Sequence, residues 1–225
     1  RDVAVTGVQT CALPISRIEK EATYDKRYRI YVDDKPLFSI HEDVLVKFHI
    51  HKGMTLDSAQ LECLFEEEEM NRVRQAAYRY LGYKPRTIFE VRQHLLHKRA
   101  NERHIEVIIG EMVEKGYLND QQYAMQWTKD KRKIKGWGHS RLKQELERRG
   151  IESKWIDASL HESNEEEYNL AREKAYKRYR RICDGSWMKV ERRLGTYLLR
   201  EGFSRDITYS ILNELRSTHR ESEKQ

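Results

Sequence analysis

The sequence predicts a mainly α fold: three tandem three-helix repeats forming an elongated, curved molecule, with a small N-terminal β-hairpin extension. Three observations carry this expectation. First, a helical frame recurs. Val91, Leu95, Ile105 and Ile109 form one copy, Leu142, Leu146, Ile156 and Leu160 a second, and Leu194, Leu198, Thr208 and Leu212 a third, at offsets of 51 and 52 residues. The residue four after the second apolar position is Arg99, Gly150 and Gly202 in turn. An apolar pair at i, i+4, a turn and a second such pair describe helix–turn–helix units, which bury their apolar faces only by stacking. Second, the chain has 225 residues, 38% apolar and 36% charged, which suits slender helices around a thin core. Third, proline occurs only at positions 14, 36 and 85, so the strongest helix breaker is missing from residues 86–225.

The elements follow in order. Tyr28, Ile30 and Val32 alternate with Arg27, Arg29 and Tyr31, a short strand. Asp33-Asp34-Lys35-Pro36 is turn chemistry, and Leu37 to Ile40 returns as the second strand of a hairpin. His41-Glu42-Asp43 caps a short helix through Phe48. A lone hairpin is marginal in water and must lean on something else. Asp57, with Gln60 three residues on, starts a long helix to about Leu81. Its acidic run Glu66–Glu69 reads as a solvated face, and Gly82 and Pro85 end it. Thr87 with Glu90 is a capping box, Asn101 caps the next helix, and Lys115-Gly116-Tyr117 stops it. Asn119 with Gln122 opens a helix that Gly136 and Gly138 break. Leu142 and Leu146 lead to the stop at Arg149-Gly150-Ile151, and a short helix spans Ile156 to Leu160. Ser163 to Glu166 is a further capping box before a helix over 164–182, Asp184-Gly185-Ser186 turns the chain, and Glu201-Gly202-Phe203 separates the last two helices.

The resulting divisions are 17–56 for the hairpin and short helix, 57–118, 119–162 and 163–218 for the repeats, and 219–225 for a polar tail. Residues 1–16 resemble the translation of a sequencing adapter. They lack the basic start and continuous apolar core of a signal peptide and are set apart from the fold, together with Cys11. The first helix of each unit is rich in Ala and aromatic residues: Ala77 with Tyr80, Ala124 with Trp127, and Tyr176 with Tyr179. The small side chain lets helices approach and the ring fills the gap, which is a packing role.

Charge is unevenly placed. Residues 17–85 hold 12 Lys/Arg against 13 Asp/Glu, whereas 86–225 hold 30 against 23. Eight basic residues lie in 131–149 and six in 172–181. The stripe consists of Lys131, Arg132, Lys133, Lys135, Arg141, Lys143, Arg148 and Arg149, continued by Arg172, Lys174, Lys177, Arg178, Arg180 and Arg181. Such clusters suit nucleic acid or an acidic protein groove. Helical geometry splits each cluster, since successive residues diverge by about 100°. The residues expected to meet a partner are Lys131, Lys135, Arg141, Lys143, Arg148, Arg149, Arg172, Lys174, Lys177, Arg178 and Arg181.

Other chemistry is sparse. The three cysteines are widely spaced, which implies a reducing compartment without structural zinc. His49 with His51, and His94 with His97, lack a third ligand at metal spacing. Glu90 and His94 share a helix face, but there is no nucleophile elbow, phosphate loop or glycine-rich fingerprint. No cofactor, metal or catalytic centre is expected. No apolar run approaches the ~18 residues of a membrane span, so the chain reads as cytoplasmic.

Gly116-Tyr117-Leu118-Asn119-Asp120-Gln121-Gln122-Tyr123-Ala124 is similar to the joint between the first two repeats of the RecX family. Gly138-His139-Ser140-Arg141-Leu142, with Leu146 and Arg149-Gly150-Ile151, resembles the core of that family's second repeat. Arg86-Thr87 with Glu90-Val91 resembles the start of its first. The stretch from Arg27 to Met54 resembles the hairpin extension of longer members. The resemblance spans about residues 17–216 and rests on the order and spacing of these motifs together. It implies a non-enzymatic regulator that binds the bacterial RecA–DNA filament and modulates, chiefly by inhibition, its ATP hydrolysis, strand exchange and coprotease function. It further implies a monomer that meets DNA weakly or through the filament. The alternative is a stand-alone DNA-binding protein in which Trp137 to Arg141 opens a recognition helix. The sequence departs from the family pattern at Arg99, where a glycine is expected, at Thr208, and in an irregular Cys183–Ser186 joint.

Overall fold

The structure, a computed structural model, describes residues 13–22, 26–161, 164–184 and 186–222. Four strands, β1 (Leu13–Lys20), β2 (Arg27–Val32), β3 (Lys35–His41) and β4 (Thr55–Leu56), form an antiparallel sheet in the order β3-β2-β1-β4. The helices are α1 (Glu42–Lys47), α2 (Ser58–Leu81), α3 (Ile88–His97), α4 (Glu102–Glu114), α5 (Asp120–Lys135), α6 (His139–Glu147), α7 (Ser153–Ser159), α8 (Asn164–Tyr179), α9 (Trp187–Glu201) and α10 (Arg205–Ser222). The chain divides into two compact units, residues 1–84 with 94–111, and residues 85–93 with 112–225.

In the first unit the hairpin is tightened by two aspartates. Asp33 and Asp34 both take positive φ, +48° and +58°, the conformation that matches a two-residue turn to the twist of its strands. The sheet's inner face and α1 bury Ile15, Ile30, Ile40, Val44, Ile50 and Leu56 with Leu64 of α2. The expected hairpin is thus half of a larger sheet, and the segment set apart at the N-terminus supplies part of it. Leu13 to Ser16 open β1, and Ile15 is 1% exposed. The structure therefore corrects the boundary at residue 16: from Leu13 onward the chain is part of the fold. Ile15 and Ile18 both pack on this core although three residues apart, because a β-bulge between Ile15 and Arg17 absorbs the extra residue. Residues 1–12, with Cys11, lie outside the described residues.

The acidic run of α2 is corrected as well. Glu66 and Glu69 are exposed, but Glu68 is buried, accepts a 2.8 Å hydrogen bond from the His41 N–H and pairs with Arg27 at 2.9 Å. Glu67 pairs with Lys47 at 2.7 Å. Half of the run therefore ties the sheet and α1 to α2. The Asp57–Gln60 capping box forms with both reciprocal bonds present.

All twelve positions of the repeated frame are buried, each at most 5% exposed. In the second unit, Leu142, Leu146, Ile156 and Leu160 form one core with Ala124 and Ile151. Leu194, Leu198 and Leu212 form another with Ala171, Ala175, Tyr179, Val190 and Phe203. Thr208 sits at its apolar frame position 3% exposed, and its hydroxyl has no hydrogen-bond partner among the described residues. The α8 helix ends at Tyr179 rather than at residue 182. The tail expected from residue 219 is helical to Ser222, and His219 is buried with Nδ1 2.9 Å from the Tyr179 hydroxyl. The capping box at Ser163 and the turn at Gly185 lie outside the described residues.

Candidate partner-binding face

Two joints in the second unit determine which basic side chains are open. At the first joint, the start of α3 docks on the turn after α6. The Thr87 hydroxyl donates to the Arg149 carbonyl at 2.8 Å, the Ile88 N–H donates to Asp120 at 2.9 Å, and Arg149 pairs with Glu90 at 2.7 Å. Burial pushes the Asp120 carboxyl pKa up, against the Ile88 hydrogen bond, which pulls it down. At the second joint, the start of α6 docks on the turn after α9. Gly138 and Ser140 donate their N–H groups to the carbonyls of Glu201 and Gly202 at 2.8 and 2.9 Å. His139 donates to Glu167 at 3.0 Å, and Arg141 pairs with Glu201 at 2.8 Å.

Lys174 reinforces this second joint. Its ammonium donates to the carbonyls of Lys135 and Gly136 at 2.7 and 2.9 Å and pairs with Glu201. A cation thus satisfies carbonyls that the end of α5 leaves without helical partners. The first turn of α6, read above as a candidate recognition helix, has its backbone donors and Arg141 committed within the protein.

Other expected residues are also engaged. Arg172 binds Glu214 at 2.7 Å and holds its carboxyl below the usual range, helped by hydroxyls of Tyr176 and Tyr168. Lys177 pairs with Glu173 at 2.6 Å and Arg148 with Glu145 at 3.1 Å. The Lys131 ammonium lies 5.6 Å from the Trp127 ring centroid. Lys143 is partly exposed on α6.

A subset converges. Lys135, Lys174, Lys177, Arg178 and Arg181 line one groove of about 390 Å³ formed by the end of α5 with α8 and α9, together with Arg132 and Lys133. Burial lowers the Arg132 pKa. A second groove of about 460 Å³ shares Arg178 and Tyr197 with it and is also lined by Arg192, Arg193 and Arg200 of α9. Lys131, Arg141, Lys143, Arg148, Arg149 and Arg172 line neither groove. The α9 arginines form no dense cluster, because Leu194, Leu198 and Leu199 lie between the Arg192-Arg193 pair and Arg200. Their signal was spacing: Arg192, Thr196 and Arg200 recur at i, i+4, i+8, opposite the buried Leu194 and Leu198.

The aromatic partners of the alanines pack rather than project. Trp127 lies against Trp137 at 6.0 Å between centroids, and Arg149 covers it at 5.2 Å. Among the described residues, no three His, Cys, Asp or Glu side chains are placed to hold a metal ion, and no helix is long and apolar enough to cross a membrane. Cys63 and Cys183 are free thiols.

A sheet-bearing segment followed by helices that dock helix start on helix turn defines a helical-repeat protein. Three family models match along it: the regulatory protein RecX N-terminal domain over residues 14–57, the first RecX three-helix domain over 74–112, and the second over 119–160. The regulatory protein RecX of Bacillus cytotoxicus is 29% identical over 216 residues, covering 94% of this chain and 80% of that protein. That of Bacillus thuringiensis is 28% identical over 219 residues with the same coverage. A crystal structure of regulatory protein RecX superposes with a TM-score of 0.74 at 27% identity, covering 90% of this chain and 99% of the other. RecX from Lactobacillus salivarius superposes with a TM-score of 0.61 at 25% identity, covering 67% and 98%. The chain belongs to the RecX family of regulatory proteins.

Proposed function

We propose that this protein binds the RecA recombinase–DNA filament as a monomer in the cytoplasm and inhibits its ATP hydrolysis, strand exchange and coprotease function, acting by occupancy rather than by catalysis. Family membership carried by three successive matched segments is the observation behind this reading. The cationic grooves of α5, α8 and α9 support it, because a nucleoprotein filament is a polyanion and clustered cations steer association toward one. The test is direct: purified full-length chain is added to RecA on single-stranded DNA, and ATP hydrolysis is followed up to equimolar protein. Hydrolysis is expected to fall well before equimolarity. Rates unchanged at equimolar protein, in hydrolysis and in strand exchange alike, sink the reading.

A further inference from the structure

We propose that the cavity between α2 and the turn joining α3 to α4 binds a small phosphate monoester that also carries hydroxyl groups, in chemical class a sugar phosphate. The proposal does not depend on the filament reading. The cavity holds about 280 Å³ and lies wholly within the first unit, since its lining comes from residues 69–76 and 95–104. That volume sits at the lower edge of the roughly 300–1,000 Å³ typical of ligand pockets, which suits a small metabolite rather than a polymer segment.

The first argument is charge. On α2, Arg74 is matched, with Glu111 at 2.9 Å and Glu67 at 3.6 Å. Two residues before it, Arg72 lines the cavity together with Lys98 and Arg99, and none of these three has an ion pair among the described residues. Against them stands one lining carboxylate, Glu69, so the cavity keeps an excess of two positive charges. A phosphate monoester carries about −1.5 to −2 at neutral pH, whereas a phosphodiester or a simple carboxylate carries a single charge. The two guanidiniums, moreover, present planar forks that take phosphate oxygens in pairs.

The second argument is Glu69 itself. A site for a bare anion gains nothing from a carboxylate, and Glu69 has no cationic partner among the described residues to neutralise it. A carboxylate only accepts hydrogen bonds and so takes hydroxyl donors. Its place beside the cations fits a ligand with hydroxyls near its phosphate. The Asn101 side-chain oxygen is committed to the Arg103 N–H at 2.9 Å, which leaves its amide group to donate. The third argument is the wall. Val73 and Leu95, both buried, give with Ala76 and Ala100 an aliphatic surface that matches the C–H face of a sugar ring, and His104, only 7% exposed, lines it as well. The His104 Nε2 stands 3.8 Å from Glu66, beyond hydrogen-bond length, so the imidazole keeps a ring nitrogen for a ligand.

The test uses the full chain in isothermal titration calorimetry near physiological ionic strength, with ribose 5-phosphate, inorganic phosphate and ribose as probes. Ribose 5-phosphate is expected to bind with a Kd of roughly 1 mM or tighter, the range open to a ligand of its size. Inorganic phosphate is expected to bind about tenfold more weakly, and ribose more weakly still. Arg72 and Lys98 are exposed, so Arg72→Gln and Lys98→Gln leave the fold intact and are each expected to cost about tenfold in ribose 5-phosphate affinity. Glu69→Ala is expected to narrow the preference for ribose 5-phosphate over phosphate to within about twofold. Arg193→Gln, in the groove of the second unit, is expected to change nothing. No binding of ribose 5-phosphate at about 10 mM, equal affinity for it and for phosphate, or binding untouched by Arg72→Gln and Lys98→Gln each overturn the proposal. So do a preference that survives Glu69→Ala and binding lost in Arg193→Gln, which would move the phosphate to the groove of the second unit.

Discussion

The joint at Gly150 and the joint at Gly202 are built alike with one inversion. In both, a helix start lies on a left-handed glycine, with φ +71° and +95°, and gives a backbone N–H to a carboxylate. Ile88 donates to Asp120 in the first and His139 to Glu167 in the second. The ion pair is reversed. Glu90 on the helix start meets Arg149 on the turn in the first joint, whereas Arg141 on the helix start meets Glu201 on the turn in the second. What the joint requires is the close backbone approach and a pair of opposite charges. Which side carries which sign is free, provided both change together. The fixed parts are therefore steric, and the steric part should also be the most costly to break.

The largest effect is accordingly expected at the glycines. A Cβ at Gly150 would stand 2.4 Å from the Phe89 Cβ, and one at Gly202 would stand 2.4 Å from the Arg141 backbone nitrogen. Gly116 has a similar φ of +74° but nothing within 4 Å. Gly116→Ala thus pays only the left-handed conformation, about 1–2 kcal/mol, while Gly150→Ala adds overpacking of about 1–3 kcal/mol. Urea unfolding of the full chain separates the two. Equal losses at both positions would mean that the joint is loose.

The next effect concerns the inverted pair. Glu90→Arg alone leaves two facing guanidiniums in a partly buried site and is expected to cost about 1–3 kcal/mol. Adding Arg149→Glu should recover at least half of that in a double-mutant cycle. The second joint should not forgive the same exchange. Arg141→Glu with Glu201→Arg leaves Lys174, which also pairs with Glu201, facing a new positive charge, so the double variant stays destabilised. Recovery at both joints, or at neither, would break the comparison.

How much of this the sequence discloses depends on whether the governing contacts are local. Frame leucines, capping boxes and stop glycines act within a few residues, and the twelve frame positions are buried as the pattern predicts. The reading fails at β1, where residues 1–16 are set apart on a resemblance and the bulge, by setting Ile15 and Ile18 three apart, leaves no alternation to argue for a strand. Charges are harder still. Nothing in RLKQELERRG separates Arg149, locked to a glutamate 59 residues away, from the outward-facing Arg148. Glu68 differs from Glu69 only by one helical step, yet one anchors a sheet and the other is exposed. A basic cluster identifies a charged region, but only the tertiary pairing reveals which cations remain for a partner.

The smallest effect tests whether the first repeat's turn is the same device without a docked neighbour. Arg99 occupies the frame position of Gly150 and Gly202 and takes the same left-handed conformation, φ +58°. The hydrogen bonds match as well. Arg99 and Ala100 donate to Leu96 and Leu95 at 2.9 and 3.2 Å, as Gly150 and Ile151 donate to Glu147 and Leu146 at the same distances. What differs is the space outside. Arg99 is exposed and borders a cavity of about 280 Å³, so a side chain fits where Gly150 tolerates none. Arg99→Gly should therefore relieve about 1–2 kcal/mol of backbone strain, offset by the greater freedom glycine has in the unfolded chain, about 0.5–1 kcal/mol. The net expectation is a gain near 0.5 kcal/mol, read as a rise of about 1–2 °C in melting temperature for a domain of this size. A loss of stability instead would show that Arg99 is held by contacts of its own side chain, and that the first turn is not an undocked copy of the other two.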